Sequence, residues 1–269
     1  MSSKLKIFFD TSLCIEIGKG KLSGYPDRTF KEFRYQISPL TVYELIAGLA
    51  TGQDSFFNRN REALRAVYPT GPKRFLPLLR SFIPKQLFGE NIKLPPSVDV
   101  DFDLWIKTVL KARTREELES GKLKVGLKGR KGFGLDLESI NKQMRQIEDG
   151  FANLLTAFRK TGAPLLTPDI WAKLILDSMG KSVTTENVST VLQRLDAAFR
   201  FEQRLWAFIT SPNYNFHKHR SELVDAHQLT YLCDPDLYMV TSDKKLKKAI
   251  AESPQSKRVV TYNELAKLV

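Results

Sequence analysis

Four acidic residues stand where a carboxylate can do chemistry. They are Asp10 in IFFDTS, Glu44 in ISPLTVYEL, Asp225 in SELVDAHQL and Asp243 in MVTSDKKL. Asp10 and Asp243 each follow a short apolar run that reads as a buried strand. Glu44 follows another such run by a short helical stretch, and Asp225 lies one turn into a helix that starts near Ser221. In open parallel sheets ligands gather at the carboxyl ends of strands, so Asp10 and Asp243 can approach each other across neighbouring strand ends. Gathered carboxylates repel unless a cation relieves them, and an all-oxygen set suits Mg²⁺ or Mn²⁺. Such a metal lowers the pKa of a bound water, and the hydroxide can attack a phosphodiester in line. On this reading Asp10, Asp225 and Asp243 are the main metal ligands and catalytic groups. Glu44 joins them directly or through water. Thr11, Ser12, Thr241 and Ser242 hold ligands or waters by hydrogen bonds.

Each acid also has a purely structural reading. Asp10 can cap the helix that follows it, and Asp243 can cap the lysine-rich helix. Glu44 stands three residues after Thr41 and can close a capping box, while Asp225 can be an exposed helical residue. Singly, these readings are the stronger ones. The joint placement of all four acids shifts the balance to a metal site.

The elements that must position the acids lie at the two ends of the chain. Residues 5–9 read as a strand, Leu13–Gly18 as a short helix, Tyr35–Ser38 as a second strand and TVYELIAGLA as a helix stopped near Gly52. At the other end RSELVDAHQLTYL reads as helix, LYMVTS as strand, DKKLKKAIAE as a basic helix, RVV as strand and YNELAKLV as a last helix. Strands alternating with helices imply a mostly parallel sheet covered on both faces. Between them, residues 53–220 read as helical. TPDIWAKLILDSM has a good helix start at Thr167–Pro168, and the TTENVSTVLQRL segment starts on Thr184 or Thr185. DVDFD, with Asp99, Asp101 and Asp103, lacks the glycine and glutamate of a calcium loop and reads as another helix start.

The 269 residues carry 42 Lys and Arg against 30 Asp and Glu, a net charge of +12, which favours polyanionic partners. Cys14 and Cys233 are the only cysteines, too few for a disulfide framework, and suit a reducing compartment. No apolar run approaches the ~18 residues of a membrane span, and MSSKLKIFFD is too short before Asp10 for a secretory signal. These features lead to the expectation of a cytoplasmic protein.

The stretches FFDTS, ISPLTVYELIAGL and LVDAHQLTYL…LYMVTSDKKL resemble the signature blocks of PIN-domain nucleases. The resemblance implies a Rossmann-like α/β fold with a mostly parallel sheet and an acid cluster that binds Mg²⁺ or Mn²⁺ and cleaves RNA. Asp10, Glu44, Asp225 and Asp243 match the family's four acids in order. Residues 1–52 and 221–269 would form the nuclease core, with 53–220 a large helical insertion packed on it. The family further implies a toxin or defence role, control by an antitoxin or other regulatory protein, and homodimers, none of which the residues themselves display.

Basic residues could guide the RNA. Lys244 and Lys245 adjoin Asp243, and His217, Lys218, His219 and Arg220 precede the Asp225 helix. Lys128, Arg130 and Lys131 belong to the glycine-rich stretch GKLKVGLKGRKGFG, which could track phosphates. Two other readings keep the fold. One is a non-catalytic nucleic-acid-binding or assembly module that loads no metal. The other is a nuclease acting on DNA, since metal hydrolysis does not need a 2′-hydroxyl.

Overall fold

The structure is a computed structural model that describes residues 4–22, 33–51, 54–68, 75–92, 101–125, 134–143, 145–146, 149, 153, 156, 167–209 and 221–268. The chain is α/β, and its strands pair in parallel within each of two compact units. One unit comprises Met1–Leu76 and Leu94–Gln146, the other Pro77–Lys93 and Ile147–Val269. The packing therefore divides the segment 53–220 between both units, whereas the sequence motifs set it apart as one insertion.

In the first unit β1 (Leu5–Phe9) pairs with β2 (Phe33–Gln36), with Ile7 opposite Tyr35. Ile7, Phe8 and Phe9 are all wholly buried. Because successive strand side chains point to opposite faces, three buried residues in a row mean that both faces of β1 are covered. Ile37, just past β2, bridges in parallel to Phe75. The helices of this unit include α1 (Thr11–Gly18), α2 (Pro39–Ala47), α3 (Asp54–Val67), α5 (Phe102–Lys111) and α6 (Arg115–Glu119). Asp101 is the N-cap of α5, its carboxylate accepting from the Leu104 N–H at 2.9 Å, so a helix starts there, while Asp99 lies outside the described residues. Asn60 of α3 is buried and donates to the Leu45 carbonyl at 2.8 Å, which ties α3 to the end of α2.

In the second unit β3 (Leu237–Val240) pairs with β4 (Val259–Val260). Its helices include α4 (Leu79–Phe88), α7 (Pro168–Ser178), α8 (Thr185–Arg194), α9 (Asp196–Ile209), α10 (Ser221–Leu229), α11 (Lys244–Ala249) and α12 (Tyr262–Leu265). Thr167 caps α7 with Pro168 in the first turn, and Thr184 caps α8. Tyr231 is wholly buried, edge-on to Phe82 at 5.0 Å, and donates its hydroxyl to the Pro77 carbonyl at 2.9 Å. The Arg258 guanidinium donates to the carbonyls of Leu232, Asp234 and Leu237. One planar donor group thus satisfies three carbonyls at the approach to β3, a role its fork geometry suits. Among the described residues no helix is long and apolar enough to cross a membrane.

Candidate functional site

The first unit brings Asp10 and Glu44 into one neighbourhood. Asp10 follows β1 directly and is only 2% exposed. It is the N-cap of α1: one carboxylate oxygen accepts from the Leu13 N–H and the other from the Ser12 hydroxyl, each at 2.8 Å. A carboxylate here suits the exposed N–H groups and positive end of a helix. Thr11 donates its hydroxyl to Glu44, which links the start of α1 to α2. Beneath them lies the buried Cys14 thiol. Burial pushes its pKa well up, and the neighbouring Asp10 and Glu44 carboxylates push it further. Both effects favour the protonated thiol over the thiolate.

Glu44 does not close a capping box. The N-cap of α2 is Ser38, whose hydroxyl accepts from Leu40, and Pro39 opens the helix. Thr41 instead donates to the Phe9 carbonyl at 3.2 Å, fixing α2 to the last residue of β1. The proline shifts the helix start three residues earlier than the Thr-x-x-Glu pattern suggests, because its fixed φ suits a first turn.

The second unit brings Asp225 and Asp243 onto one cavity of about 460 Å³. Asp243 is the N-cap of α11, accepting from the N–H groups of Lys245 and Leu246 at 2.6 and 3.0 Å. Thr241 is wholly buried and its hydroxyl oxygen accepts from the Asp243 N–H at 2.9 Å, which orients the acid at the end of β3. Glu222 and Asp225, three apart on α10, share a helix face and both reach the cavity. Opposite charges come from Arg204 of α9 and from Lys245 and Lys248 of α11. Buried Phe201, Leu205 and Leu246 supply apolar lining.

Among the described residues no group of three or more His, Cys, Asp or Glu side chains stands together in a way that would hold a metal ion. The four acids are found as two pairs, one in each unit. Lys244 and Lys245 are exposed and Ser242 is half-buried. His217, Lys218, His219, Arg220, Lys128, Arg130 and Lys131 lie outside the described residues. Arg204, Lys248 and Glu222 were not singled out from sequence. The spacing of Arg204 beside Phe201 and Leu205 puts them on one helix face, but nothing local says which helix that face meets.

Glu202, one residue from the cavity-lining Phe201, has a buried carboxylate oxygen without a hydrogen-bond partner among the described residues. Burial raises its pKa from 4.5 to about 7. Between those values the folded chain holds a proton that the unfolded chain has lost. Stability contributed by this group is therefore present in full below pH 4.5 and falls as pH rises towards 7. The loss is at most about 3–4 kcal/mol at ~1.4 kcal/mol per pKa unit. Glu202→Gln should remove it, so urea unfolding at pH 5 and pH 8 should show a smaller drop in the variant than in wild type. Equal drops would count against the burial.

The fold and these two acid pairs define a parallel α/β protein with carboxylates at strand ends. No protein-family model, curated protein or solved structure matches the chain.

Proposed function

We propose that the chain is a cytoplasmic, metal-dependent endoribonuclease of the PIN type, with Asp10, Glu44, Asp225 and Asp243 as its acids. The observation that carries the reading is the placement of Asp10 directly beyond β1 and of Asp243 three residues beyond the end of β3, each near a second acid. The oxygen donors fit Mg²⁺ or Mn²⁺. Mg²⁺ commonly keeps several waters and is held by only one or two carboxylates plus substrate phosphate, so a pair of acids on a cavity is a sufficient protein contribution. When bound, the cation supplies an activated water and neutralises phosphate charge. The chain's own residues do the holding: Thr241 orients Asp243, and Ser12 and Thr11 engage Asp10 and Glu44. A regulatory protein partner and self-association belong to this proposal as family expectations.

The test is cleavage of a panel of RNAs and single-stranded DNAs by the purified chain with Mg²⁺ or Mn²⁺, beside calorimetric titration of Mn²⁺. The expected result is RNA cleavage that EDTA stops and saturable Mn²⁺ binding. Cleavage of DNA alone would move the substrate class. A second reading, a nucleic-acid-binding module, draws support from the capping roles of Asp10 and Asp243, which need no metal. RNA binding without cleavage or Mn²⁺ binding would favour it.

A further inference from the structure

Among the described residues, the cavity of the second unit is charge-balanced but not mixed. Its three acids, Glu222, Asp225 and Asp243, come from α10 and the start of α11. Its three cations, Arg204, Lys245 and Lys248, come from α9 and the body of α11. Helix α11 sorts its lysines by face. Lys247 pairs with Glu264, while Lys245 and Lys248, three apart, turn to the cavity. Neither of these two makes an ion pair among the described residues. Among the described residues Arg204 donates to the Lys248 carbonyl alone, at a long 3.5 Å, and a guanidinium has five donors to offer. The volume, about 460 Å³, lies within the range of small-molecule sites, with Phe201, Leu205 and Leu246 as apolar lining.

A cavity with separated charges of both signs suits a ligand that is itself an anion accompanied by a cation. A bare phosphate would meet three carboxylates, and a bare cation would meet three positive side chains. We propose that Arg204, Lys245 and Lys248 form an anion wall that binds a backbone phosphate of RNA, while the acids face its accompanying divalent cation. This rests on the nuclease reading, and it adds Arg204 and Lys248 to the substrate-binding residues. Arg204 is suited to grip two phosphate oxygens at once, and the lysines act as point charges.

The experiment measures binding of a fluorescein-labelled 12-nucleotide single-stranded RNA by anisotropy, in Ca²⁺ to supply the accompanying divalent cation, from 50 to 200 mM salt. Arg204→Gln and Lys248→Gln should each weaken binding by about fivefold and reduce the salt slope by about one. Arg204→Lys should restore part of the loss. Lys247→Gln, on the other face of α11, should bind within about twofold of wild type. Unchanged melting temperatures would separate these effects from a structural role, which would not move the salt slope. No RNA binding by wild type, or wild-type binding and slope in both glutamine variants, would overturn the proposal. Weakened binding in a chain that never cleaves RNA would support the wall and sink the nuclease reading instead.

Discussion

Asp10→Asn and Asp243→Asn should each lower Mg²⁺-dependent RNA cleavage by on the order of 10³-fold, beyond the ~10- to 100-fold typical when only an outer hydrogen-bond partner of a metal ligand is lost. Both changes remove a charge and keep a shape. Asn is about as good an N-cap as Asp, so α1 and α11 keep their first-turn hydrogen bonds. At Asp10 the amide can also meet Ser12, whose hydroxyl can turn to accept rather than donate. Melting temperatures should therefore stay within about 2 °C of wild type. Asp10→Ala loses charge and cap together and should cost about 1 kcal/mol of stability as well. The comparison separates the two roles of each acid. Cleavage that survives both Asn variants would leave them as caps alone, whatever the stability data show.

Gly18→Ala should destabilise the first unit by about 3 kcal/mol, the upper part of the range for forcing extra volume into a packed site. A Cβ at Gly18 would lie 2.5 Å from the Ala63 nitrogen and 2.6 Å from its Cα. Both are backbone atoms of α3, so no side chain can rotate away, and α1 and α3 would have to part. Gly48 meets α3 differently. Its Cβ would strike the Asn60 amide nitrogen at 2.2 Å, and that nitrogen holds the Leu45 carbonyl. Gly48→Ala can be relieved by moving one side chain, at the loss of a buried hydrogen bond worth about 1 kcal/mol. Chemical denaturation should rank Gly18→Ala as the more damaging. Since α1 begins at the residue after Asp10, the same variant should also weaken any activity that depends on Asp10. Equal stability of Gly18→Ala and wild type would show that α1 and α3 do not approach this closely.

Much of the local structure was legible in the residues. The apolar run before Asp10, the Thr167–Pro168 start and the Thr184 cap all have short-range physical causes, and the structure has strand or helix at each. The same logic marked Asp101 as a helix start and Asp10 and Asp243 as caps. Where two local signals competed, pattern alone was not enough. Thr41 and Glu44 match a capping box, yet Ser38 and Pro39 start the helix, and both side chains turn to β1 and α1 instead. The second strand likewise runs from Phe33 to Gln36, two residues earlier than its polarity pattern indicates, because its register is set by pairing with β1.

What the sequence by itself determined is the parallel α/β class and the positions of four acids relative to strands. Capping, strand burial and helix phase are properties of neighbouring residues, so a linear reading reaches them. Only the tertiary structure decided the rest: that α3 packs on Gly18 and so joins the first unit, that Thr11 reaches Glu44, and that Arg204 and Lys248 share a cavity with Asp225 and Asp243. Thr11 and Glu44 are 33 positions apart and Arg204 and Lys248 44, and which helix faces meet depends on close packing between surfaces. No spacing rule along the chain encodes that choice.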